Sequence, residues 1–187
     1  MRCHPDTPVR PATPRLARRP RRGFTLIEAA LTTVIIGVGV VGMLELLAKG
    51  TIVNGEGSEM TTGLNLAKNV REFSMHLNYR DPDSGVGYPY SWGLDAGESA
   101  TVLTSWDDVD DMTGRTFNPP IDGGGTAMTD YAGWQQKVTV QTVDPSNISS
   151  ATVLPNGTLG GVRVTVDVLR HNRHVCTQSW YVFDGTP

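Results

Sequence analysis

The chain is poor in cysteine, in aromatic residues and, over most of its length, in positive charge. Cys3 and Cys176 are its two cysteines, at opposite ends, and with Cys3 in a basic leader the body can form no internal disulfide. Cys176, inside a strand-like pattern, is expected to be a small buried apolar residue. Aromatics make up only 7 % of the chain, while 21 glycines and 12 prolines predict a loop-rich domain. The formal net charge of −3 is divided unevenly. Residues 1–22 carry seven arginines against Asp6 alone, which leaves nine basic and eighteen acidic residues beyond them. A body of net charge −9 lacks the basic surface that broad nucleic-acid binding requires, so no nucleic-acid partner is expected.

Enzyme signatures are missing too. There is no Gly-x-Ser-x-Gly elbow, and the Gly123-Gly124-Gly125 run lacks the preceding strand and following lysine of a phosphate loop. His76, His171 and His174 are scattered, and with Cys176 they fall short of a zinc site, so no metal ligand is assigned among them.

One long apolar run stands out. From Phe24 to Ala48 only Glu28 and Glu45 are charged, and 25 helical residues reach roughly 37 Å, more than a bilayer core of about 30 Å. One of the two glutamates must then lie near a boundary or find a partner. The arginines before it orient the segment: residues 1–22 in the cytoplasm, the body outside. A cleaved secretory signal would have a shorter apolar core and a small-residue exit site. Glu28 is the anomaly, because a carboxylate inside hydrocarbon costs about 2.5–3.5 kcal/mol, less near the helix end. No lysine or arginine follows it until Lys49. Cutting the chain between Gly23 and Phe24 would create an ammonium four residues before Glu28, and in an assembly a neighbouring subunit's ammonium could meet this carboxylate.

Arg21-Arg22-Gly23-Phe24-Thr25-Leu26-Ile27-Glu28 resembles the processing motif of type IV prepilins and type II secretion pseudopilins. The resemblance implies cleavage by a prepilin peptidase between Gly23 and Phe24, N-methylation of Phe24, and Glu28 as the assembly residue. It implies a structural subunit, no enzyme, whose partners are the peptidase, other pilin or pseudopilin subunits, an inner-membrane assembly platform and lipid. Two departures are visible. The leader is long and carries Pro5, Pro8, Pro11, Pro14 and Pro20, and the body lacks the cysteine pair of many major pilins, which favours a minor subunit. The alternative is a membrane-anchored periplasmic binding module that never polymerises.

Beyond the membrane segment, residues 49–79 are expected to continue as an amphipathic helix. Its stripe is Met60, Leu64, Ala67, Val70 or Arg71, Phe73 and Leu77, facing a sheet, with Lys68, Asn69, Glu72 and His76 outward. Gly50, Gly55 and Gly57 predict a bend or break between the two halves. Residues 80–133 read as loop, through Asp81-Pro82-Asp83, Gly85, Gly87, Pro89 and Pro119-Pro120. Residues 134–187 follow as an antiparallel meander built on Gln136–Val143, Gly161–Val168 and His174–Phe183, turning at Arg170–Arg173. One long helix on an antiparallel sheet is an α+β class. Within the loop region Asp107, Asp108, Asp110 and Asp111 crowd around Val109. They read as a solvated acidic loop or capping turn, with a Ca²⁺-holding loop and a partner-contacting patch as the alternatives; the spacing is not that of an EF-hand. Asn147-Ile148-Ser149 and Asn156-Gly157-Thr158 read as turns.

Overall fold

The computed structural model describes residues 23–79, 92–148, 154–156 and 160–184. The basic leader, the turn signals from Asp81 to Pro89, and Ser149, Gly157 and Thr158 of the two asparagine motifs lie outside the described residues. The chain divides into two compact units at Lys49/Gly50. One helix, α1, runs from Leu26 to Ser74; the strands are β1 (Thr116–Phe117), β2 (Trp134–Val143), β3 (Gly161–Arg170) and β4 (Arg173–Phe183). The four strands form one antiparallel sheet in chain order, and the C-terminal part of α1 packs on it. This is the expected α+β arrangement.

The expected break at Gly50–Ser58 is absent, because α1 stays helical throughout. Glycine costs about 1 kcal/mol against alanine, a local penalty that three separated glycines spread over a 49-residue helix do not turn into a break. The helix stops at Ser74, short of residue 79, in a tightened last turn: His76 donates to the Phe73 carbonyl at 3.1 Å and Leu77 to Ser74 at 3.3 Å.

The buried stripe also differs from the expected one. Gly63, Leu66, Ala67, Val70, Phe73 and Ser74 are buried, whereas Met60 and Leu64 are 44 % and 42 % exposed. The seat starts at Gly63 because the backbone there presses on β4. A Cβ at Gly63 would lie 2.9 Å from Cys176 Sγ and 3.0 Å from Val175 Cγ1. A reading by hydrophobicity passes over glycine and serine, and so misses the phase they set.

The opposite wall is the valine face of the sheet. Val138 and Val140 on β2 pair with Val166 and Val164 on β3, and Val162 and Val168 extend the same surface, all of them buried. The β3–β4 connection is a two-residue loop, His171-Asn172, with φ of 49° and 62°, the left-handed pair that matches hairpin twist. Its His171 N–H donates to the Gly133 carbonyl at 2.7 Å. Gly133 has φ +81°, and a Cβ there would sit 2.5 Å from the His171 ring.

The region read as loop is in part a structural wall. Trp106, Val109, Met112, Phe117 and Ile121 join the core, two 3-10 turns form at Leu103–Ser105 and Asp110–Met112, and β1 pairs with β2. Gln136, 0 % exposed, ties these layers: Ile121 N–H donates to its Oε1 at 2.8 Å, and its Nε2 donates to the carbonyls of Leu66 (2.8 Å) and Ile121 (3.1 Å).

Candidate functional site

The first unit carries the segment that the sequence singles out. Gly23, Phe24 and Thr25 are non-helical and exposed, and α1 begins at Leu26. The bond between Gly23 and Phe24 therefore lies in open backbone just before the helix. Thr25 acts as the cap: the Glu28 N–H donates to its carbonyl at 3.1 Å and to its Oγ1 at 3.3 Å. Thr-x-x-Glu is the pattern of a capping box, and an acid in the first turn also faces the positive end of the helix dipole. Glu28 thus has a local reason to sit in this turn. Among the described residues no cation forms an ion pair with it.

The rest of the apolar segment is compatible with hydrocarbon. Every residue from Gly23 to Ser58 is exposed, among them Leu26 at 89 % and Ile27 at 76 %. Thr32 and Thr33 satisfy their hydroxyls on the carbonyls of Glu28 (2.6 Å) and Ala29 (2.9 Å), as polar groups in a bilayer must. Glu45 has its partner in Lys49, with an Nζ–oxygen distance of 2.9 Å one turn on. Among the described residues α1 is the one helix long and apolar enough to cross a membrane.

The acidic run lies in the second unit, and here the expectation of a solvated loop is overturned: Asp108, Asp110 and Asp111 are 3 %, 1 % and 2 % exposed. The backbone folds around the carboxylates. Asp108 Oδ1 accepts the N–H groups of Asp110 (2.9 Å) and Asp111 (3.3 Å), while Asp111 Oδ2 accepts those of Asp107 (3.1 Å) and Asp108 (3.3 Å). The segment is held at a second point by Asn78, whose N–H donates to the Asp107 carbonyl and whose own carbonyl accepts Val109 N–H. Burial, then the hydrogen bond and charge of Asp110, pushes the Asp108 carboxyl up to about 9. Burial, the Glu98 hydrogen bond and the Asp108 charge raise Asp111 to about 7. Carboxylate oxygens of Asp108, Asp110 and Asp111 lie within 4.8 Å of one another, as do those of Glu98, Asp107 and Asp111. Such oxygens suit a hard divalent cation chemically. Asp108 and Asp111 also close the turn through the backbone donors they accept.

The histidines are not drawn together into a cluster of metal-ligand geometry among the described residues. His76 is exposed beyond the end of α1, His171 shapes the hairpin loop, and His174 stands 3.6 Å from Asp167 on the outer face. Cys176 is buried as expected, and burial, with the Asp167 charge, raises its thiol. Sequence reading missed Glu59, whose carboxylate takes Arg170 at 2.5 Å and also Arg173. The two arginines flanking a predicted hairpin turn were the available signal.

An apolar, exposed helical segment leading into a helix-on-meander head defines a pilin-like arrangement. Residues 18–44 match the prokaryotic N-terminal methylation motif, which supports a type IV pilin or pseudopilin-like protein. No curated protein and no solved structure matches the chain.

Proposed function

We propose that this protein is a minor pilin or pseudopilin, cleaved between Gly23 and Phe24, methylated on Phe24, and assembled through Glu28 into a type IV pilus or type II secretion filament. The observation that carries the reading is the methylation motif over residues 18–44, with Glu28 at the fifth position counted from Phe24. Before assembly α1 holds the subunit in the inner membrane, residues 1–22 in the cytoplasm and the head in the periplasm. The prepilin peptidase, the assembly platform, other subunits and lipid are its partners. The chain is a substrate of the processing chemistry and has no catalysis of its own and no nucleic-acid ligand.

The chemistry follows from one charge pair. Cleavage frees an ammonium on Phe24, and methylation leaves its charge in place. At about 4 Å and an effective dielectric near 20, a neighbour's ammonium attracts the Glu28 carboxylate by about 4 kcal/mol before desolvation is subtracted. That attraction sets the axial register of one helix on the next. Removing either partner strands the other in hydrocarbon, a state costlier than the pair.

N-terminal mass spectrometry of protein extracted from membranes tests the processing step. A chain beginning at methylated Phe24 is expected; an intact Met1 terminus in cells with active peptidase overturns the reading.

A further inference from the structure

In the second unit the helix is exposed at every position from Gly50 to Ser58, and Glu59 is the first half-buried residue. Its carboxylate receives both arginines that flank the β3–β4 loop. Arg170 NH1 lies 2.5 Å from Oε1, and Arg173 contacts Oε2. Arg170 is held in place from below, its guanidinium 5.4 Å from the centre of the Trp134 ring. One turn further on comes the tight seat, where Gly63 meets Cys176 and Val175, and from there α1 is buried along one stripe to Ser74. The contacts at the two points differ in kind. The seat is buried against Cys176 and Val175, whereas the ion pairs are partly open, with side-chain exposures of 24 % for Glu59, 38 % for Arg170 and 62 % for Arg173. Partly exposed ion pairs are individually weak and are screened by salt. The stretch they hold carries three glycines, Gly50, Gly55 and Gly57, which weaken a helix and meet nothing that would clamp them.

We propose that Glu59 is a latch: its two arginine pairs fasten the turn of α1 just before Gly63 to the β3–β4 hairpin loop, and their release lets the largely exposed stretch from Gly50 to Thr62 move away from that loop while the seat from Gly63 to Ser74 stays closed. The proposal takes its purpose from the reading of the chain as a subunit that passes from membrane to filament. The latch places the yielding point above the apolar seat, so that charge pairs break and re-form while the core remains dry. Glu59 is a positioning residue in this scheme, acting through the two arginines.

Hydrogen exchange of the whole membrane-extracted protein in detergent, read by mass spectrometry, tests the latch. In Glu59→Gln, peptides covering residues 54–62 are expected to exchange roughly three- to thirty-fold faster, the range that two partly exposed ion pairs supply, while peptides covering 66–74 stay unchanged. Equal exchange at 54–62 in both proteins overturns the proposal. Should the variant lose protection everywhere, wild-type protein decides the matter at about 1 M salt, where screening acts within about 3 Å. Faster exchange confined to 54–62 supports the latch, and unchanged exchange there overturns it. The N-terminal mass of the same sample reports separately on processing. An unprocessed chain with a salt-sensitive 54–62 segment refutes the filament reading and leaves the latch; a methylated Phe24 with a salt-insensitive segment does the reverse.

Discussion

Gln136 on β2 donates its side-chain N–H to the main-chain carbonyl of Leu66 at 2.8 Å, a polar bond from the sheet into the buried stripe of α1. Both residues are buried, and the same amide also satisfies both backbone groups of Ile121. Replacing it by leucine leaves the Ile121 N–H without its acceptor in a dry interior, at a cost of about 1–3 kcal/mol for an orphaned buried group. Urea unfolding of Gln136→Leu, followed by the fluorescence of buried Trp106 and Trp134, is expected to show that loss. A midpoint equal to wild type contradicts the bridging role.

The phase of the helix is tested by two leucines two positions apart. Leu66 is 2 % exposed and Leu64 is 42 % exposed. Leu66→Ala is expected to destabilise the head by about 2–5 kcal/mol, as core truncations do, and Leu64→Ala to stay within about 1 kcal/mol, as surface changes do. The opposite ranking would restore the stripe that hydrophobicity alone suggests.

Glycines in the same helix separate in the same way. Gly57 has open space around its position, so Gly57→Ala gains helix propensity of about 1 kcal/mol without a clash. Gly63→Ala forces a methyl against buried Cys176 and Val175 and is expected to cost about 1–3 kcal/mol. Thermal unfolding of the two variants should move in opposite directions.

The buried acidic turn predicts a pH dependence. Asp108 and Asp111 titrate near 9 and near 7 in the folded chain, against about 4 when unfolded. Between those values the folded state holds protons that the unfolded state has released, so stability falls as pH rises. In calcium-free buffer the melting temperature is expected to decline from about pH 4 through pH 7 toward pH 9, with Asp108→Asn flattening the decline. Repeating the scan with Ca²⁺ asks whether a cation can replace the protons. An upward shift that grows with pH would assign it that role, and coincident curves would exclude it.

The sheet was legible because its signals were periodic. Val162, Val164, Val166 and Val168 alternate without interruption, and all four lie on the buried face. The hairpin was legible because Arg170–Arg173 separates two such runs. The helix phase was legible at Ala67, Val70 and Phe73 but not at Met60 and Leu64, since Gly63 and Ser74 contribute through close approach and through the last turn, which an apolar pattern does not register. The acidic run misled for a related reason. Four carboxylates read as solvent-seeking, but Asp108 and Asp111 spend their oxygens on backbone N–H groups of their own turn, which allows burial. At the N-terminus, Gly23, Phe24 and Glu28 stood out from spacing and context alone. Their bond geometry adds the Thr25 cap, which gives Glu28 a place in the first turn and leaves the Gly23–Phe24 bond outside the helix.

Glu28 carries the central claim, and its replacement tests it most directly. Glu28→Ala should be processed and methylated at Phe24 and remain in the membrane, yet be missing from sheared or purified filaments that contain the wild-type subunit. Equal recovery of the variant and the wild type in those filaments would contradict the account.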